Sequence, residues 1–109
     1  MNYIFCSDKQ LLEINRKYLG KDYYTDIITF DLSDNKSYVR GESYISIERA
    51  RDNAKALAIP FSAELHRVVF HGALHLCGYE DNTKKNILLM RKKEDYYLSL
   101  YKQGLFDLV

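Results

Sequence analysis

The chain has 109 residues, of which 47% are hydrophobic and 28% charged, with a formal net charge of +1. That length allows one domain, residues 1–109, with a single core, and the composition argues against a disordered, collagenous or disulfide-stapled chain. No apolar run approaches the roughly 20 residues of a membrane span and no basic-then-apolar leader opens the chain, so we expect no membrane and a cytoplasmic location.

Tyr3-Ile4-Phe5-Cys6 predicts a short strand. Ser7 can cap a helix running to about Leu19, with Gln10 as capping-box partner and Leu11, Leu12, Ile14 and Tyr18 on its apolar side. Residues 25–32 read as a strand, Ser33 to Ser37 as a polar loop, and Gly41 to Ile47 as a third strand with Tyr44 and Ser46 opposite Ile45 and Ile47. Glu48 to Leu57 predicts a helix with Ala50, Ala54 and Leu57 inward, ended by Pro60. Ser62 can cap a long, largely apolar helix, and Asn82 or Thr83 a last one to about Tyr101, with Ile87, Met90, Tyr97 and Leu98 inward. The expected fold is α/β (α+β): a small mixed sheet with helices packed on it. No repeat or linker interrupts it.

Residues His71 to Asp81 carry the chemistry, reading H-x-x-x-H-x-x-G-x-x-D. Histidines four apart lie about 40° apart around a helix and one turn apart in height, so both imidazoles can reach one ion. Gly78 tolerates the positive φ needed to leave the helix, and Asp81 then arrives with a carboxylate. Three such ligands leave a fourth position open for water, the arrangement of a catalytic metal. The bland reading is weaker. One histidine in a buried helix is usually a hydrogen-bonded core residue, but two at this spacing, followed by Gly and a carboxylate, are hard to place without a function. Imidazole ligands suit Zn2+, Ni2+ or Fe2+, with Zn2+ favoured, and no organic cofactor is implied.

Other groups near the motif are set aside by angle or left open. Cys77 is about 200° around the helix from His75, and His66 about 140° from His71, so neither should share the ion. His66 is read as packing or hydrogen bonding near the helix start, and Cys6 and Cys77 as buried reduced thiols. Glu64 and Glu80 are candidate partners for the ligating rings. The spacing is zincin-like, close to the metzincin H-E-x-x-H-x-x-G-x-x-H, but Gly72 stands where those peptidases have their glutamate base.

The motif, with two further segments, resembles the YbeY endoribonucleases, or rRNA maturation factors. His71 to Glu80 match H-G-x-L-H-L-x-G-Y-x. Asn15 to Phe30 parallel N-x-x-Y-R-G-K-D-x-P-T-D-V-L-S-F, and Gly41 to Ser46 parallel G-D-I-x-I-S. The chain departs from the pattern at Asp81, where the family has a third histidine, and at Leu19, where it has an arginine. Tyr24 and Asp31 replace prolines. Family members usually also carry a strand and a helix ahead of the point matching this chain's start.

The resemblance implies a metal-dependent endoribonuclease specific for single strands, acting in 16S rRNA 3′ end maturation and ribosome quality control. Its partners would be single-stranded RNA, rRNA and ribosomal components, and its metal ligands His71, His75 and Asp81. A metal-bound water is expected at the reaction centre, and the general base is open. Two rivals stand beside this: a metal-dependent hydrolase of another substrate such as peptide, and a non-catalytic ribosome-associated metal-binding module. The charge balance is weak support for RNA binding. Arg49, Arg51 and Lys55 on one helix, and Lys84, Lys85, Arg91, Lys92 and Lys93 on another, are each more simply solvated faces. The ten tyrosines could stack on unpaired bases but serve equally well in cores.

Overall fold

A computed structural model describes residues 2–34 and 40–102. Of the loop expected at Ser33 to Ser37, Asn35 to Ser37 lie outside them. The elements in order are β1 (Asn2–Cys6), α1 (Asp8–Leu19), β2 (Ile27–Asp31), β3 (Gly41–Ser46), α2 (Ile47–Leu57), α3 (Phe61–Leu76) and α4 (Lys84–Lys102). The sheet order is β1-β3-β2, with β1 parallel and β2 antiparallel to the central β3.

Strand periodicity divides the sheet into two faces. Thr29 pairs with Ser43 and Ile27 with Ile45, and this face meets Gly72 of α3. Phe30 and Tyr44 point the other way, with the Phe30 ring edge-to-face to Tyr18 of α1 at 6.0 Å and to Tyr44 at 5.8 Å between centroids. The two helices therefore cover opposite faces, and Leu11 and Ile45 are fully buried between them.

α3 packs against α2, α4 and the sheet. Its approach to the sheet depends on the absence of a side chain at Gly72. A Cβ there would lie 2.7 Å from Thr29 Oγ1, 2.8 Å from Ile27 Cδ1 and 2.9 Å from Ser43 Oγ. The two hydroxyls are hydrogen-bonded to each other at 2.9 Å, so they have little room to yield.

The local signals fare unevenly. The Ser7–Gln10 capping box forms as expected, and α1 ends at Gly20 in the left-handed region. Asn15, buried to 2%, donates through Nδ2 to the Tyr23 carbonyl and ties down the connection to β2. Thr83 caps α4, its Oγ1 accepting from the Asn86 N–H.

Several expectations need correction. β2 spans Ile27–Asp31, starting two residues later and ending one earlier than the expected strand over residues 25–32. Ile47 opens α2 and does not extend β3, because the Ser46 hydroxyl accepts from the Arg49 N–H and starts the helix there. Ser62 does not cap α3; Pro60 does, in extended geometry, its carbonyl taking the Ala63 and Glu64 N–H groups. α2 ends at Leu57 through Ala58 in the left-handed region, ahead of Pro60. Cys77 is exposed, since the helix has already ended there, while Cys6 is half-buried. Leu57 (52% exposed) and Ile87 (49%) are not packed inward. Both line a cavity of about 510 Å³ beside α3, so their inward-facing positions meet open space. No helix among the described residues is long and apolar enough to cross a membrane.

Candidate metal centre

α3 holds His71 and His75 one turn apart near its C-terminal end. Gly78 at φ +99° then reverses the chain, with its N–H on the His75 carbonyl at 3.0 Å and the Tyr79 N–H on Leu74 at 3.0 Å. This wrap caps the helix and returns Asp81 to the face that carries the two rings. The two Nε2 atoms are 3.0 Å apart. Asp81 Oδ2 lies 3.2 Å from His71 Nε2 and 3.6 Å from His75 Nε2. An ion with bonds of about 2.0–2.2 Å in tetrahedral geometry spaces its donors about 3.3–3.6 Å apart, so the triangle is close to that size, with two edges slightly shorter. Among the described residues this is the one His/Cys/Asp/Glu group compact enough to hold an ion.

The opposite ring nitrogens are engaged elsewhere. His75 Nδ1 is 2.9 Å from the Tyr79 carbonyl oxygen, which can only accept, so Nδ1 donates and the neutral ring presents a lone pair at Nε2. His71 Nδ1 lies 2.6 Å from Glu94 Oε2 on α4. Burial works against charge on His71, but the Glu94 hydrogen bond and the charges of Glu94, Asp81 and Asp26 outweigh it, and its pKa is raised.

A buried charged cluster backs this face. Glu94 and Glu64 are each 4% exposed. Arg67 Nη1 reaches Asp95 Oδ1 at 2.8 Å and Glu94 Oε1 at 3.4 Å. Arg67 Nε and Glu64 Oε1 pair at 3.6 Å, beyond hydrogen-bond distance, and neither atom has another hydrogen-bond partner. Burial pushes the carboxyl groups of Glu64 and Asp26 above their usual range.

The centre lies between two cavities. One is the 510 Å³ space lined by Asp26, Glu64, Arg67, Arg91 and Glu94 as well as His71 and Asp81. The other, of about 460 Å³, is lined by Leu19, Lys21, Tyr23 and Asp26 together with His71, His75 and Asp81.

The structure thus brings together the three residues expected from the motif and leaves Cys77 out of the group. His66 sits apart, Nδ1 on the Ser62 carbonyl and its ring 4.1 Å from that of Tyr101, in the packing role expected of it. Of the two acidic partners expected for the rings, Glu64 is buried in the cluster without touching either, and Glu80 is exposed. The residue that does contact His71 is Glu94. Motif spacing does not point to it, because it lies 23 residues downstream on a different helix. Its only sequence trace is a carboxylate at an α4 position in register with Met90 and Leu98, on the inward side of that helix. Arg49, expected as a solvated base, is instead paired with Asp8 at 2.6 Å.

A mixed α/β domain with two histidines and a returning carboxylate converging between two cavities belongs to the small proteins built around a candidate divalent-metal centre. Comparison with known proteins narrows the class. A family model described as "Endoribonuclease YbeY" matches residues 1–102. Endoribonuclease YbeY of Cytophaga hutchinsonii is 55% identical over 102 residues, covering 94% of this chain and 71% of that protein. Its counterpart in Flavobacterium psychrophilum is 52% identical over 101 residues, covering 93% and 71%. The solution structure of TM1509 from Thermotoga maritima superposes with a TM-score of 0.65 at 32% identity, covering 98% of this chain and 71% of that one. The chain belongs to the endoribonuclease YbeY family.

Proposed function

We propose that this chain is a metal-dependent, single-strand-specific endoribonuclease with a zincin-like centre, in which His71, His75 and Asp81 hold one divalent transition metal. The observation that carries the reading is the donor triangle with edges of 3.0, 3.2 and 3.6 Å. Two imidazoles and a carboxylate with a free fourth position suit zinc best, with nickel and iron also compatible. Such an ion supplies Lewis-acid stabilisation for charge developing on a phosphoryl oxygen. The remaining work falls to the chain. The Tyr79 carbonyl orients His75. Tyr23, 54% exposed and lining the same cavity as the three ligands, offers a ring on which an unpaired base can stack. Lys21 lines that cavity too and supplies a cation for the backbone phosphates. Family membership points to 16S rRNA 3′ end maturation and ribosome quality control as the setting, with rRNA and ribosomal components as partners.

Gly72 weighs against a peptidase, since a glutamate there would drive into Thr29 and Ser43. Leu19, at a position lining the cavity where the family pattern has arginine, favours a second reading as a non-catalytic ribosome-associated metal-binding module. Single-stranded RNA, duplex RNA and casein incubated with the protein, with and without chelator, separate these readings. We expect chelator-sensitive cleavage of the single strand alone. Casein cleavage would support the peptidase, and ribosome binding without metal-dependent cleavage the module.

A further inference from the structure

We propose that Glu94 is a positioning residue for this centre: from α4 its carboxylate fixes the ring of His71 so that Nε2 faces the ion. The inference rests on the metal reading above. The Nδ1–Oε2 distance of 2.6 Å is at the short end for a charge-assisted bond. An ionised carboxylate only accepts, so Nδ1 carries the hydrogen and the lone pair of the neutral ring is at Nε2, on the side of His75 and Asp81. Glu94 is itself held, with Oε1 3.4 Å from Arg67 Nη1.

A role confined to docking α4 on α3 explains the arrangement less well. Arg67 already has Asp95 at 2.8 Å as a closer and largely exposed partner. Burying a second carboxylate to 4% exposure is costly for an ion pair that the surface residue already makes. Arg91, about half exposed, lies 3.9 Å from Glu94 Oε1, too far for a hydrogen bond, whereas the His71 contact is the short one and is made by Oε2. The metal centre is therefore assembled from two helices: α3 supplies the rings and α4 sets the tautomer of one of them.

The test is a zinc titration of metal-stripped protein against a chromogenic chelator, with the cobalt absorption spectrum recorded in parallel. The proteins compared are wild type, Glu94→Gln, Glu94→Leu and Asp95→Asn, each first checked for native circular dichroism. Glu94→Leu keeps the volume while removing the polar group, and guards against a misleading result from one variant. We expect both Glu94 variants to bind zinc about 10–100-fold more weakly, with an altered cobalt spectrum. Asp95→Asn, which disturbs Arg67 but not His71, should stay within about threefold of wild type, as for an exposed ion pair. Wild-type affinity in both Glu94 variants overturns the proposal. So does an equal loss in Asp95→Asn, which would trace the effect to helix docking. A wild type that takes up no metal removes the metal reading itself, and this inference with it.

Discussion

Asp26 lies on the lining of both cavities without belonging to the donor triangle. Burial raises its pKa, against the opposing pull of His71 and of backbone N–H groups, and burial raises that of Glu64 as well. A raised folded-state pKa means that the folded chain binds a proton the unfolded chain has released. The associated stability is complete below the unfolded value, about 4 for a carboxyl group, and is lost as pH rises through the folded value. Metal-free Asp26→Asn should therefore gain stability relative to metal-free wild type as pH climbs above about 4. Chemical denaturation of both proteins across that range measures the difference directly. A gap that does not change with pH would mean that Asp26 titrates as in the unfolded chain.

Among the elements, α3 depends on a missing side chain. Replacing a helical glycine by alanine ordinarily stabilises by about 1 kcal/mol. At Gly72 the added methyl would sit 2.7–2.9 Å from three side-chain atoms of the sheet, and overpacking of that kind costs about 1–3 kcal/mol. Gly72→Ala should therefore be neutral to destabilising by about 2 kcal/mol, and should weaken metal binding by displacing His71. A variant about 1 kcal/mol more stable than wild type would show that the helix has room to move. The histidine pair was legible in the sequence because helical period alone brings i and i+4 together, and Asp81 because a glycine announced the turn. Glu94 and the role of Gly72 were not, since both depend on how a helix is rotated against its neighbour. The same limit explains Leu57 and Ile87: periodicity marks an inward face but not whether anything fills the space opposite it.

At the scale of the whole molecule, the sheet and α1 form a base on which α3 rests, while α4 closes the charged side of the centre through Glu94 and Arg67. Mixed α/β architecture and element order were readable from patterning, whereas the strand order β1-β3-β2 and the paired cavities emerge only from tertiary packing. The central claim is that the tertiary arrangement exists to hold one ion on His71, His75 and Asp81. Its most direct test is the metal content and affinity of purified wild type, His75→Ala, Asp81→Ala and Asp81→His, prepared without chelator and then titrated with zinc. The account predicts one ion per chain in wild type, collapse of affinity in His75→Ala, weaker binding in Asp81→Ala, and binding retained or tightened in Asp81→His. A wild type that never carries or accepts a transition metal, or an Asp81→Ala protein with unchanged stoichiometry and affinity, would contradict it.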